Sequence, residues 1–560
     1  MSAALFNGRL LPRVIVIALL SAVPAAAQTG VPAMRTLHRG VETGVETAPL
    51  ALTLEDAVRR AIDNNPELAI VRLETEVDTA RIDQTRTAFT PVFSTAFGRS
   101  SAVTPPANFL LGERGVDVDD FFSSTGVRQR LKWGSGTWSV SWDTSRTATT
   151  NPLTSYDPTL QSGFELAFSQ PLLRDRAVDP ARYQYAIARR NADSSDLRFR
   201  EAVVQTVAAV KQAYWMLKAA RANVGVQQQS LDLARELSRE NKVRVDAGHI
   251  PPIDLVQAEA EVAQRRENLI RAHTTADDAE DALRKLIVNA GDTGFWNVRI
   301  EPVESLSAIT VLPDIDAAVA AALDQRYDIA RAGRDLENTQ TTIEFLNNQR
   351  LPDVRVEASY RGNGLAGTQF LRGAGFPGSI IGTRNRGFGD ALGQVFSNDY
   401  PTWSFGLTVN YPIGRSFEEA SLARARVERQ QTTQRIASLR IDAAETVRRA
   451  GRQVRSTAER VEAARAGASL AQERLDAEQR RFGVGLSTTF LVTQAQRDLL
   501  EAQVNLLQTS LDFESALVNF EAVQQAPPLA AGSSFGLRGA SVVFVPTSTP
   551  RGLFRPGAGF

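Results

Sequence analysis

No cysteine occurs among the 560 residues. That excludes disulfides, thiolate metal sites, a cysteine nucleophile and a cysteine-linked lipid. Histidine is nearly as scarce: His38, His249 and His273 lie far apart in the chain, poor material for a zinc centre or a histidine-based triad. Charge of one sign is lacking too. The 63 basic and 63 acidic side chains cancel, and the pI is near 6.9, which argues against nucleic acid as a partner. No stretch beyond the N-terminus approaches 18 consecutive apolar residues, so no transmembrane helix is expected. If this chain crosses a membrane, it does so with β-strands. P-loop, HExxH and GxSxG motifs are missing. Gly362 to Gly367 matches GxGxxG, but glycine, proline and arginine follow it where a dinucleotide site needs a helix. Nothing points to catalysis, a cofactor or a resident metal.

What is present begins with an address. Residues 1–27 carry Arg9 and Arg13, an apolar run from Val14 to Leu20, and a small-residue cleavage pattern at Ala25 and Ala27. They read as a secretory signal peptide, with an N-terminal membrane anchor as the alternative. The other end, 527–560, is rich in Pro, Gly and Ser and reads as a flexible tail.

Between them the chain repeats itself. Leu54 to Ala61 matches Ile315 to Ala322 at an offset of 261, and Pro91 falls on Pro352. Val243 to Gln257 matches Arg480 to Gln494 at an offset of 237, with Gly248 on Gly485. Two repeats follow, 28–288 and 314–526, joined by a connector over 289–313. Each should run short helix, extended region, very long helix, glycine turn, short helix. The first repeat carries a surplus of about 24 residues, the difference between the two offsets.

The long helices keep a heptad seam. Val203, Val207, Val210, Tyr214, Leu217, Val224 and Leu231 recur at coiled-coil spacing, interrupted by Arg221 and Gln228. Residues from about 177 to 245 and 415 to 482 lack internal proline past the first turn, and each would reach roughly 100 Å. The extended regions alternate with period two. Phe164, Leu166 and Phe168 interleave with Glu165, Ala167 and Ser169; Trp403, Phe405, Leu407, Val409 and Tyr411 interleave with small polar residues. Strands of about 9–11 residues with one apolar and one polar face suit lipid outside and water inside. A soluble sandwich with one wet face is the competing reading. Gly126 to Trp133 and Trp138 to Thr144 look like a further hairpin, either extra barrel strands or an extracellular projection. That hairpin and a glycine-rich surface loop over 362–401 are expected outside the cell, with Gly248 and Gly485 at the periplasmic end. Four or six strands cannot close a membrane barrel, whose minimum is about eight, so several chains must share one.

Certain motifs carry a family resemblance. Leu52-Thr53-Leu54-Glu55-Asp56-Ala57 with Asn64-Asn65-Pro66-Glu67-Leu68, Ser169-Gln170-Pro171-Leu172-Leu173, and Arg481-Phe482-Gly483-Val484-Gly485-Leu486-Ser487 occur in order over residues 52–525. The chain resembles the TolC family of outer-membrane efflux proteins. The resemblance implies a mixed α and β membrane protein: a homotrimeric outer-membrane β-barrel, surrounded by outer-membrane lipid and continuous with a long periplasmic α-helical coiled-coil barrel. It implies a passive exit duct for efflux or type I secretion, energised by an inner-membrane pump through a periplasmic adaptor. Adaptor docking falls by resemblance on Arg244, Ala247, Gly248 and Ile250 in the first tip, and on Arg481, Phe482, Gly485, Leu486 and Ser487 in the second. A periplasmic aperture falls on Asp254 and its counterpart Leu491, and on Gln257 and Gln494. Ser487 stands where some members have arginine, and Leu491 where an acid would complete a ring. The competing function is a non-transporting coiled-coil scaffold or adhesin of the envelope, which accounts for the heptads but not for the paired strand blocks.

Overall fold

The computed structural model describes residues 49–105, 115–289, 291, 294–305, 312–376, 378–414 and 416–525. The leader with Ala25 and Ala27 and the tail over 527–560 lie outside the described residues. The first repeat runs β1 (Leu50–Leu52), α1 (Leu54–Asn64), α2 (Pro66–Arg86), β2 (Val92–Thr104), β3 (Val116–Arg130), β4 (Thr137–Thr149), β5 (Tyr156–Pro171), α3 (Pro180–Asp246) and α4 (Pro252–Ile287). The connector holds β6 (Ile300–Pro302), which pairs in parallel with β1. The second repeat runs α5 (Ile315–Gln325), α6 (Tyr327–Gln349), β7 (Asp353–Arg372), β8 (Ile380–Arg386), α7 (Phe388–Ser397), β9 (Tyr400–Asn410), α8 (Phe417–Gly483) and α9 (Thr489–Gln524).

The duplication extends to helix lengths. α3 and α8 each have 67 residues, and α1 and α5 each have 11. A 67-residue helix is roughly 100 Å long at 1.5 Å per residue. The helix after each tip is 36 residues in both repeats, not short, because the apolar stripe that follows each tip persists to its end, alanine-rich in α4 and carrying larger residues such as Leu499, Phe513 and Phe520 in α9. Local signals set the boundaries. Thr53 caps α1 by accepting from the Asp56 N–H, and Asp314 caps α5 by accepting from Asp316 and Ala317.

The seam residues form the cores. Val210, Tyr214 and Leu217 of α3 pack with Leu283 and Ile287 of α4 and with Leu52 and Ile300. Tyr214 is fully buried, and its hydroxyl donates to the Leu52 carbonyl at 3.0 Å. Arg221, which breaks the heptad, reaches Glu280 of α4 at 2.5 Å. In the second repeat Val447, Ala450, Val454, Ala458 and Val461 meet Ala318, Val319 and Ala322 on one side, and Phe513, Ala516 and Phe520 on the other. A Cβ on Gly451 would lie 2.7 Å from Ile315 Cγ1, so glycine permits the close approach of α5 to α8.

The strands form one antiparallel sheet, β2-β3-β4-β5-β7, extended by β9 on one half of β7 and by β8 on the other. Its register fixes two faces. Phe93, Val127, Val140, Leu166, Tyr360 and Trp403 are successive cross-strand partners in one row. The adjacent row reads Ser94, Gly126, Ser141, Glu165, Arg361 and Thr402 on the opposite face. Sheet edges at β2 and β9 have no partner strand among the described residues.

Three expectations are corrected here. Strands β2, β3, β4, β5 and β7 run 13 to 20 residues, beyond the expected 9–11, whereas β9 has 11. Residues 362–401 are not a loop: they hold the outer half of β7, then β8, α7 and the start of β9. Gly362 and Gly364 leave room for α7, whose Ala391 and Val395 are buried on β7; a Cβ on Gly364 would lie 1.9 Å from the Ala391 carbonyl oxygen. The hairpin at Gly126 to Thr144 joins the sheet as β3 and β4, and its turn points to the helical end, not outward. Gln170 Nε2 donates to Gly134 O at 2.7 Å, and Ser135 Oγ donates to Asp179, the N-cap of α3, at 2.5 Å. The direction follows from connectivity: β2 leaves the helical end, so β3 returns to it.

Candidate functional site

Each long helix ends in the same way. Gly248 has φ +75° and Gly485 φ +81°. His249 N–H donates to Arg244 O, and Leu486 N–H donates to Arg481 O, both at 2.8 Å. These are six-to-one closures of a helix C-terminus through a left-handed residue. Nothing lies within 4 Å of a Cβ built on either glycine, so the backbone conformation, rather than space, calls for glycine. Arg244, Arg480 and Arg481 occupy the last helical turns, where cations suit the helix dipole.

The tip residues divide into two groups. Ala247, Gly248, Gly485 and Leu486 are exposed, Leu486 at 71%, and Ile250 is half-buried. Val484 and Phe490, which sequence reading passed over, are as open as Leu486. Arg481 is exposed and lies 3.4 Å from Glu478, the same carboxylate to which Ser487 Oγ donates. Phe482 and Arg244 do not belong with them. Phe482 is buried among Leu237, Leu475, Val492, Ala495 and Leu499. Arg244 covers its ring. These two join the tips to each other, so Phe482, which the resemblance assigns to docking, is turned inward; it falls on the seam of α8, one turn before the glycine.

Of the residues that the resemblance assigns to an aperture, Asp254 is half-buried in the first turn of α4 and its carbonyl accepts from Asn241 Nδ2 at 3.4 Å. Asn241, with no exposed surface, also accepts from Thr489 Oγ1 of the second tip at 3.3 Å. Gln257 and Leu491 are exposed, and Gln494 Nε2 donates to Asp498 Oδ1 at 2.7 Å. The acidic counterparts lie one heptad further from the tips. Glu261 and Asp498 share the 237-residue offset, so the repeat itself was the signal that could have found them. Glu261 lies 2.5 Å from both Arg265 and Arg497, and Asp498 lies 2.6 Å from Arg474. Burial alone would raise the Glu261 pKa, but the Arg497 hydrogen bond and the charges of Arg265 and Arg497 together hold it below the usual carboxylate range.

The junction between sheet and helix is also charged. Asp179 accepts from Ala181 N–H at 2.8 Å and Arg182 N–H at 3.1 Å, pairs with Arg182 at 2.5 Å, and holds the β3–β4 turn through Ser135. Desolvation opposes its ionisation, and the Ser135 and Arg182 hydrogen bonds outweigh it, so its pKa is lowered.

A family model described as outer membrane efflux protein matches residues 136–288 and 318–523. No curated relative matches the sequence. Solved structures match the fold. The Campylobacter jejuni CmeC outer membrane channel has a TM-score of 0.60 at 16% identity, over 84% of this chain and 85% of that one. The outer membrane protein VceC from Vibrio cholerae has 0.59 at 14%, over 84% and 96%. The open state of the Neisseria gonorrhoeae MtrE outer membrane channel has 0.58 at 17%, over 84% and 89%.

Proposed function

The chain belongs to the outer membrane efflux protein family, and from that premise we propose that it is the outer-membrane exit duct of a tripartite efflux or type I secretion system. The observation that carries the reading is the two-faced sheet joined directly to 67-residue helices. An apolar row facing lipid and a row of Ser, Gly, Glu, Arg and Thr facing water make a wall for an aqueous passage. The edges of β2 and β9, unpaired among the described residues, support assembly, since open edges are not tolerated in lipid. Along the path β2-β3-β4-β5-β7-β9 each strand reverses the last, so β9 of one copy would meet β2 of the next antiparallel. Three copies, the number the family resemblance implies, would close a barrel above a periplasmic tube of long helices.

The duct itself is passive. An inner-membrane pump supplies the energy and a periplasmic adaptor docks at the tips around Gly248 and Gly485. The exposed apolar side chains of Val484, Leu486 and Phe490, all within six residues of one another at the second reversal, support that docking surface. Planar-bilayer recording of the detergent-purified protein, with its mass determined in parallel, tests the conduit. Conductance by a trimer is expected. A conducting monomer, or a water-soluble rod without conductance, overturns the reading.

A further inference from the structure

The lipid-facing side of the sheet carries charge at one height. Arg99 of β2, Phe121 of β3 and Arg146 of β4 are successive cross-strand partners, so they lie in one row on the face that bears Phe93, Val127 and Val140. Asp119, two residues along β3 on the same face, takes a bidentate pair from Arg99 at 2.9 and 2.6 Å. Arg146 bears on that carboxylate through space and has neither hydrogen bond nor ion pair among the described residues. It is exposed, and the aromatic rings of Phe97 and Phe121 beside the row are exposed too.

The height follows from strand length. Arg146 lies nine residues along β4 from Thr137, and Asp119 eleven along β3 from Arg130, both counted from the helical end. A tilted strand crosses the hydrocarbon in about 9–11 residues. The row therefore falls at the outer rim of the apolar band. An arginine facing lipid is costly near the midplane and nearly free at the interface, where headgroup phosphates lie. A guanidinium there matches phosphate oxygens in pairs, while Phe121 lies between the two arginines and Phe97, one step nearer the helical end, continues the apolar surface beneath them.

We propose that Arg146 and Arg99 seat a phosphomonoester of an outer-leaflet lipid, its acyl chains lying against Phe97, Phe121 and Trp142. The occupant is a lipid because the cationic row is continuous with the apolar face and directed away from the polar one. Asp119 orients Arg99, so that Arg99, Arg146 and Asp119 together keep one positive charge, while Asp117, exposed one step further out on the same face of β3, makes the site too weakly cationic for a general polyanion.

The test uses the detergent-purified full-length protein and diphosphorylated lipid A, with enzymatically dephosphorylated lipid A and inorganic phosphate as the other arms. Native mass spectrometry counts lipid retained per chain, and a thermal scan reads stabilisation. Diphosphorylated lipid A should be retained and should raise the dissociation temperature. Arg146→Gln should weaken retention about tenfold, as expected for loss of a charge-assisted hydrogen bond, and Arg146→Lys should retain part of it. Arg99→Gln should weaken it as well. Equal retention of the dephosphorylated lipid would mean that the apolar band alone binds, and would overturn the proposal. So would stabilisation by inorganic phosphate of equal size, or wild-type retention by both glutamine variants.

Discussion

Arg244 of the first tip lays its guanidinium 3.9 Å from the ring centroid of Phe482 in the second, and its Nη1 donates to the Phe482 carbonyl at 3.2 Å. One side chain thereby satisfies a helix-end carbonyl and covers an aromatic ring. The pair clamps the two reversals together from residues 238 apart in sequence. Phe482→Ala should cost about 3–5 kcal/mol of local stability, the usual range for emptying a buried aromatic site. Arg244→Ala should cost less, about 1–2 kcal/mol. Hydrogen exchange at the tip amides measures both. Protection near Gly485 unchanged in Phe482→Ala would show that the clamp does not hold the tips.

Glu261 gives the helical tube an acid response. Its folded-state pKa is depressed by Arg497 and Arg265 against the opposing effect of burial. The stabilisation is therefore complete above the unfolded carboxylate pKa of about 4.3 and is lost as pH falls through the lower folded value. Glu261→Gln should remove that part of the acid dependence. It should also cost on the order of 3 kcal/mol at neutral pH, because Arg265 is left buried without its partner. Unfolding midpoints from pH 3 to 7, wild type against variant, decide it: parallel curves would mean that Glu261 carries no such linkage.

Much of this was legible from residue pattern alone. Heptads placed Val210, Tyr214 and Leu217 in the core, and the two glycines marked both tips, because a helix reversal demands a positive φ that few residues supply. Period-two alternation placed Trp403, Phe405 and Leu407 on one face of their strand. The outer half of β7 was not legible. Its glycines imitate a loop, whereas Gly362 and Gly364 make room for α7, and Gly367, with φ +122°, lies against the Pro158 carbonyl. Phe482 was misplaced for a related reason: proximity to a turn suggests exposure, whereas it is buried by α3, distant in sequence, and by α9 folding back across the reversal. The partnership of Asp179 with Ser135 likewise spans 44 residues and leaves no local trace.

That partnership makes Asp179 the fastening between sheet and tube. It caps α3, pairs with Arg182 and holds the β3–β4 turn. Asp179→Asn keeps the cap acceptor and loses the charge; Asp179→Ala loses both. The alanine variant should lose about 2 kcal/mol or more, of which the cap accounts for ~1, and the asparagine variant less. Protease sensitivity at residues 131–136 and 176–182 reads the effect locally. Equal sensitivity of both variants to wild type would show the turn to be held by other contacts.

The tips carry the last prediction. Gly485 has a left-handed backbone with open space around a built Cβ, so Gly485→Val should suffer only conformational strain, about 1–2 kcal/mol. The strain falls on the reversal, while the sheet is separated from it by the full length of α8, roughly 100 Å. Assembly in the outer membrane should therefore survive while export fails. Leu486 is exposed, makes no core contact in the cluster around Phe482, and adjoins Val484 and Phe490. Leu486→Glu should leave the fold intact and bury a charge only when a partner covers it. Adaptor crosslinking should then fall at least tenfold, equivalent to ~1.4 kcal/mol. The two readouts are heat-resistant assembly in the membrane and crosslinked adaptor per chain. Wild-type crosslinking in Leu486→Glu would remove Leu486 from the docking surface. Loss of assembly in Gly485→Val would instead make the glycine a folding residue, since strain at a remote, exposed reversal has no other route to the barrel.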